Sequence, residues 1–251
     1  MGQKEEMGFW DHLEVLRGTL IRSLSAIFVL SIVAFFLKEQ LFNILFAPAR
    51  SDFILYRILG IEPQEVCFIN IELASQFMIH LEVSLVIGLV CAMPLIIVEF
   101  YRFVAPALYD NERRYSVGLI VGGIVLFVLG ILLNYFIIFP ITFRFLVEYQ
   151  VDPMVVNQIS LGSYISTLLL LSLILGVLFE MPVLAWFLAM VGVIDAKMMG
   201  RFRRHAFVGL LILSAVITPT GDAVTLMLVT LPLYLLYEVS IVIVRRCEKR
   251  N

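Results

Sequence analysis

Apolar residues run along this chain in stretches too long for a soluble core, separated by short polar segments. A bilayer's hydrocarbon layer is crossed by about 20 apolar residues of helix. On that measure the pattern predicts six spans, at residues 19–37, 77–98, 115–139, 160–194, 206–217 and 223–244. The fifth has only 12 residues, and the tight Thr218–Asp222 turn joins it to the sixth. Their lengths predict a hairpin that stops shallow or sits where the bilayer is locally thinned. Ahead of the first span, Met1–Gly18 predicts an amphipathic helix lying on the surface, with Phe9, Trp10, Leu13 and Leu16 toward the membrane. Lys38–Ile71 reads as a loop with surface helices at Leu41–Phe46 and Phe53–Leu59, Glu99–Arg114 as a charged loop, and Pro140–Gln158 as a second outer loop. The fold class expected is an all-α integral membrane protein with a single membrane domain.

The fourth span holds the least comfortable residue. Between Ser160 and Asp195 its one charged residue is Glu180, two residues before Pro182. A carboxylate near the middle of a span costs roughly 2.5–3.5 kcal/mol on insertion scales. Pro182 lacks an N–H and crowds the carbonyl of Leu178, so a bend is expected there. Either Glu180 snorkels or pairs within the bundle, or it faces a polar, water-accessible depression where something hydrophilic is handled. Ser172 is more than two turns away, which leaves water, or Asn134 if the third span packs alongside, as its partner. The glycines of the third span, Gly118, Gly122, Gly123 and Gly130, suit close helix packing.

Charge sets an orientation. Of the 18 lysines and arginines, 14 fall on the side of the two termini, while Lys38, Arg50, Arg57 and Arg144 lie opposite. Six crossings with that bias put both ends in the cytoplasm. Arg22 stands near the start of the first span, where a long side chain reaches the headgroups. With 15% charged residues and a mean hydropathy of +1.01, the chain is far more apolar than a soluble domain.

Known hydrolytic chemistry finds no footing. GxSxG, HExxH and CxxC are absent, the three cysteines (Cys67, Cys91 and Cys247) lie far apart, and no metal or cofactor is expected. Moving a solute, moving a proton and receiving a polypeptide remain, and intramembrane acids suit all three. Glu14, Glu99, Asp110 and Glu112 on the terminal side favour the last, since acids there can take a basic ligand. A proton-coupled secondary transporter of a small polar solute is the alternative, although no inverted repeat relates the two halves of the chain.

Motifs along the chain sharpen this reading. His12-Leu13-Glu14-Val15-Leu16-Arg17 and the segment Phe103-Val-Ala-Pro106-Ala-Leu-Tyr109-Asp-Asn-Glu112-Arg113-Arg114 are followed by Phe179-Glu180-Met-Pro182. Arg204, the Thr218–Asp222 turn, Pro232, Tyr234 and Glu238 complete the series. In order and spacing these resemble the TatC family, the large subunit of the twin-arginine (Sec-independent) protein translocase. The resemblance implies a concave, glove-like six-helix bundle and a receptor that recognises Arg-Arg signal peptides on its cytoplasmic face. It implies a bacterial inner-membrane protein that breaks no covalent bond. Its partners would be small single-span subunits of the TatA/TatB type, precursor proteins, further copies of itself and lipid, with no nucleic acid, and transport would draw on the proton-motive force. By position it assigns recognition to Glu112, with Glu14, Arg17, Phe103 and Pro106 around it, the intramembrane polar site to Glu180, and secondary roles to Pro182, Asp222 and Glu238. Three departures stand out. Val15 occupies the family's other recognition-glutamate position, Glu82 replaces a common basic residue, and the Thr218–Asp222 turn is one residue longer.

Overall fold

The described residues of this computed structural model, 9–60, 66–104, 116–152, 154, 157–219 and 222–248, are helical almost throughout. Helix α1, Phe9–Phe36, runs unbroken for 28 residues. Over its described part, the segment expected to lie on the surface is therefore the opening of the span itself; Gly18 alone is too weak a breaker to end a helix. In the first connection, α2 (Lys38–Phe46) and α3 (Ile54–Leu59) flank a single turn of 3₁₀ helix, Ala47–Ala49. Both short helices fall on the expected apolar patches. Helix α4, Ser75–Val104, carries Pro94 inside it and continues through Glu99–Val104, which the charge pattern had assigned to a loop. Nothing in those six residues interrupts helix formation, and polarity alone does not.

The third long element also outruns its expected end. Helix α5 (Ser116–Leu133) passes through a π-helical turn, Asn134–Ile138, into α6 (Phe139–Glu148), reaching well past Phe139. Pro140 lacks the N–H that an α-helix would direct at Phe136, and one wide turn absorbs the mismatch. The same proline suits the first turn of α6, where no N–H is needed. The fourth element divides into α7 (Leu161–Leu178) and α8 (Met181–Met190), with the break at Phe179–Glu180 and Pro182 in the first turn of α8. The short α9 (Ala196–Arg201) leads into α10 (Arg203–Ile217) and α11 (Ala223–Glu248).

Five elements among the described residues are long and apolar enough to cross a membrane: α1, α4, α5–α6, α7–α8 and α11. Helix α10 has 15 residues, about 22 Å of helix at 1.5 Å per residue, shorter than the hydrocarbon layer.

Two close crossings fix the bundle. A Cβ at Gly88 of α4 would stand 2.1 Å from Ser31 Oγ and 2.6 Å from the Ser31 nitrogen on α1. A Cβ at Gly130 of α5 would meet the Leu175 carbonyl at 2.7 Å and Gly176 Cα at 3.0 Å on α7. Gly118 and Gly122, by contrast, look onto open space.

A cap closes the end of the bundle opposite the termini. Tyrosines of the bundle reach carbonyls in the last turn of α2, where the Ile44 carbonyl also accepts from the Ala47 amide. Tyr135 donates to the Ile44 carbonyl at 2.7 Å and Tyr164 to that of Leu45 at 2.8 Å. Tyr56 of α3 donates to the Pro48 carbonyl at 2.9 Å. Burial lifts the Tyr56 phenol to about 12, against the pull of the nearby Arg144, so it remains a donor at neutral pH. Beneath lie Phe46, Phe68, Phe139, Phe143 and Tyr164, ring against ring. Two short parallel strands, β1 (Phe68–Ile69) and β2 (Ile159–Ser160), tie the first connection to the start of α7.

Candidate functional site

Glu14 and Arg17 are exposed on the first turns of α1, and Val15 between them is half-buried. A step of one residue turns a side chain by about 100°, which is why neighbours on this helix meet different surroundings. Phe103 sits half-buried at the end of α4. Pro106, Asp110 and Glu112 lie outside the described residues. What the structure does describe is how the two supports of this region are joined.

The join is a carboxylate held by two arginines. Glu99 of α4 accepts from Arg22 of α1 at 2.7 and 2.8 Å, both bonds reaching Oε2. Its other oxygen, Oε1, accepts from Arg102 at 3.1 Å. The Glu99 side chain is 10% exposed, while those of Arg22 and Arg102 are 56% and 69% exposed. Glu99 is thus already engaged, which corrects the expectation that it stands ready for a basic ligand. Arg22 does more than reach for headgroups. The pairing becomes visible in the sequence only once α1 and α4 are known to be neighbours. The two residues then sit at matching depth in antiparallel helices.

Glu180 faces inward, 9% exposed, at the break between α7 and α8. Gly123 of α5 makes room for it: a Cβ there would stand 3.0 Å from Glu180 Oε2 and 3.6 Å from Ile97 of α4. Oε1 has no hydrogen-bond partner among the described residues. The carboxylate packs against α5 at this point. Asn134 is not the partner either, because its amide donates to Ser172 Oγ at 2.8 Å, a link between the π-turn and α7. A buried carboxylate oxygen without a donor is costly, and no described residue supplies one.

The remaining expected residues serve the hairpin at the end of the chain. Asp222 accepts from the Thr225 amide at 2.7 Å and so caps α11. Glu238 pairs with Arg203 at 2.8 Å and accepts from the Tyr234 hydroxyl at 3.1 Å, fastening the base of α10 to α11. Pro182 is buried in the first turn of α8. At the cap end, Glu82 accepts from Ser166 Oγ at 3.1 Å and joins α4 to α7, a role open to an acid in place of the family's common base.

Among the described residues the arrangement offers no nucleophile paired with a base. It offers an exposed polar face at the start of α1 and the end of α4, and an acid in the bundle with one oxygen unpartnered. A family model described as Sec-independent protein translocase protein (TatC) matches residues 11–232. The chain is 36% identical to the Sec-independent protein translocase protein TatC of Blattabacterium sp. subsp. Periplaneta americana, over 96% of each chain. Its identity to that of Aquifex aeolicus is 35%, covering 94% of this chain and 93% of the relative. Among solved structures, a crystal structure of the twin arginine translocase receptor TatC is similar with a TM-score of 0.74 and 34% identity, covering 93% of this chain and 98% of that one.

Proposed function

The chain belongs to the TatC family of Sec-independent protein translocase proteins, and from that membership we propose where it receives its cargo. It is a core receptor subunit of the twin-arginine translocase, a multi-pass protein of the bacterial inner membrane, and it is not an enzyme. That identity displaces the solute-transporter reading.

The signal peptide's paired arginines bind on the face made by the start of α1 and the segment that follows α4. Glu112 takes one guanidinium, with Glu14, Arg17, Phe103 and Pro106 forming the surroundings. One observation carries the proposal. Arg22 of α1 pairs with Glu99 of α4 at 2.7 Å, so the turn bearing Glu14 and Arg17 runs beside the stem from which residues 105–115 depart. Both termini are cytoplasmic in this reading, supported by the 14-to-4 division of basic residues, and α10 counts as a sixth, shallow crossing in a concave bundle. Small single-span subunits of the TatA/TatB type, other copies of the chain and lipid are the partners, and the proton-motive force drives transport.

Glu112→Gln is expected to weaken binding of an Arg-Arg precursor about tenfold, the worth of one charge-assisted hydrogen bond, with membrane abundance unchanged. Val15→Glu is expected to tighten it by restoring an acid on the face that Glu14 misses. Wild-type affinity in Glu112→Gln would remove that residue from the site.

A further inference from the structure

We propose that Glu99, held between Arg22 and Arg102, is a positioning residue that fastens the terminal ends of α1 and α4 together and so aligns the two halves of the signal-peptide face. The inference rests on the proposed location of that face and goes beyond it to what fixes its geometry.

Helix α1 depends on α4 for its placement, since only 11% of its membrane window is buried. Toward the cap the two helices are held where Gly88 lies against Ser31 and where the His80 ring stacks on Phe35 and meets its carbonyl at 3.0 Å. Those contacts seat α1 on α4 at the cap end. Glu99 lies 11 residues beyond Gly88 on the terminal side, about 16 Å along the helix axis. There Arg22 of α1 closes a charged contact that fastens the terminal ends of the two helices.

The chemistry suits a fixed clasp. Both carboxylate oxygens are taken, Oε2 by the fork of Arg22 and Oε1 by Arg102. The acid is nearly covered while both arginines stay largely in the open, so the pair sits at the boundary of the apolar layer with its charged heads outward. Arg102 is two residues from the last residue of α4, and the antiparallel register that pairs Arg22 with Glu99 sets Arg17 level with that end.

From Ser31 to Arg17 is 14 residues, about 21 Å, so a bend of about 5° in that stretch moves the Arg17 turn by about 2 Å. Charge-assisted hydrogen bonds span about 2.7–2.9 Å and do not survive such a shift. Loss of the clasp therefore weakens recognition without removing any group that touches the ligand.

The test is a double-mutant cycle on the full chain in membranes, reading affinity for one precursor with an Arg-Arg signal and the same precursor with Lys-Lys. Arg22→Gln and Glu99→Gln are each expected to lose about tenfold in Arg-Arg binding, and the double variant no more than either single one. Glu99→Asp, which keeps the charge but falls one methylene short of Arg22, should bind between wild type and Glu99→Gln at undiminished membrane abundance. Additive losses, or wild-type binding by both Glu99 variants, would overturn the clasp. Tighter binding by Arg22→Gln would also overturn it, by making Glu99 a direct ligand that Arg22 masks. If wild type itself does not separate Arg-Arg from Lys-Lys, the receptor face is misplaced and the clasp falls with it; if wild type separates them and the variants match it, only the clasp falls.

Discussion

Glu180 keeps one carboxylate oxygen buried and without a hydrogen-bond partner among the described residues, at a break that Pro182 enforces. Packing does not explain its presence, because alanine there would remove a desolvated acid and leave the α7–α8 break intact. Glu180→Ala is accordingly expected to accumulate normally in the membrane while export of a folded Arg-Arg reporter falls at least about tenfold. Glu180→Gln, which retains hydrogen-bonding capacity, should fall less. Full export by the alanine variant would deny the residue a part in transport. That this acid faces the bundle could be argued from the sequence, since a lone carboxylate in a span is too costly to leave in lipid. Its neighbours could not, because the contact with Gly123 depends on the register of α5 against α8. The same limit hid Glu99: its charge was plain, and its capture by Arg22 and Arg102 was not.

Helix ends were less legible than helix cores. Hydropathy located the apolar centres of α1, α4, α5 and α11, yet α4 continues through Glu99–Val104 and α6 through Thr142–Glu148. Polar residues at a membrane surface continue a helix as readily as they end it, and only proline supplied a local reason for a break or a wide turn. The glycines illustrate what composition leaves out. Gly122 and Gly130 look alike in the sequence, yet one faces open space and the other lies under the α7 backbone. Gly88→Leu and Gly130→Leu are expected to force their crossings apart and deplete the protein from the membrane several-fold, whereas Gly122→Leu should leave its level unchanged. Immunoblots of the three variants give the answer, and equal levels throughout would remove close packing from the account of these crossings.

For the molecule as a whole, the all-α multispanning architecture and the family were legible before the structure, the first from apolar run lengths and the second from motifs spread along nearly the whole chain. The cap was not, because its tyrosine-to-carbonyl bonds join residues remote in sequence, such as Tyr164 and Leu45. The proposed orientation rests on the division of basic residues. Cys67, exposed beside the cap, should react with an impermeant thiol reagent added outside the cell, and Cys247, near the end of α11, should not. The opposite pattern would invert the molecule and put the proposed recognition face on the wrong side. The account turns on reception of paired arginines at that face, and co-purification of the intact protein with a precursor tests it most directly. A precursor bearing an Arg-Arg signal is expected to be retained and its Lys-Lys counterpart lost; equal retention of the two would contradict the account.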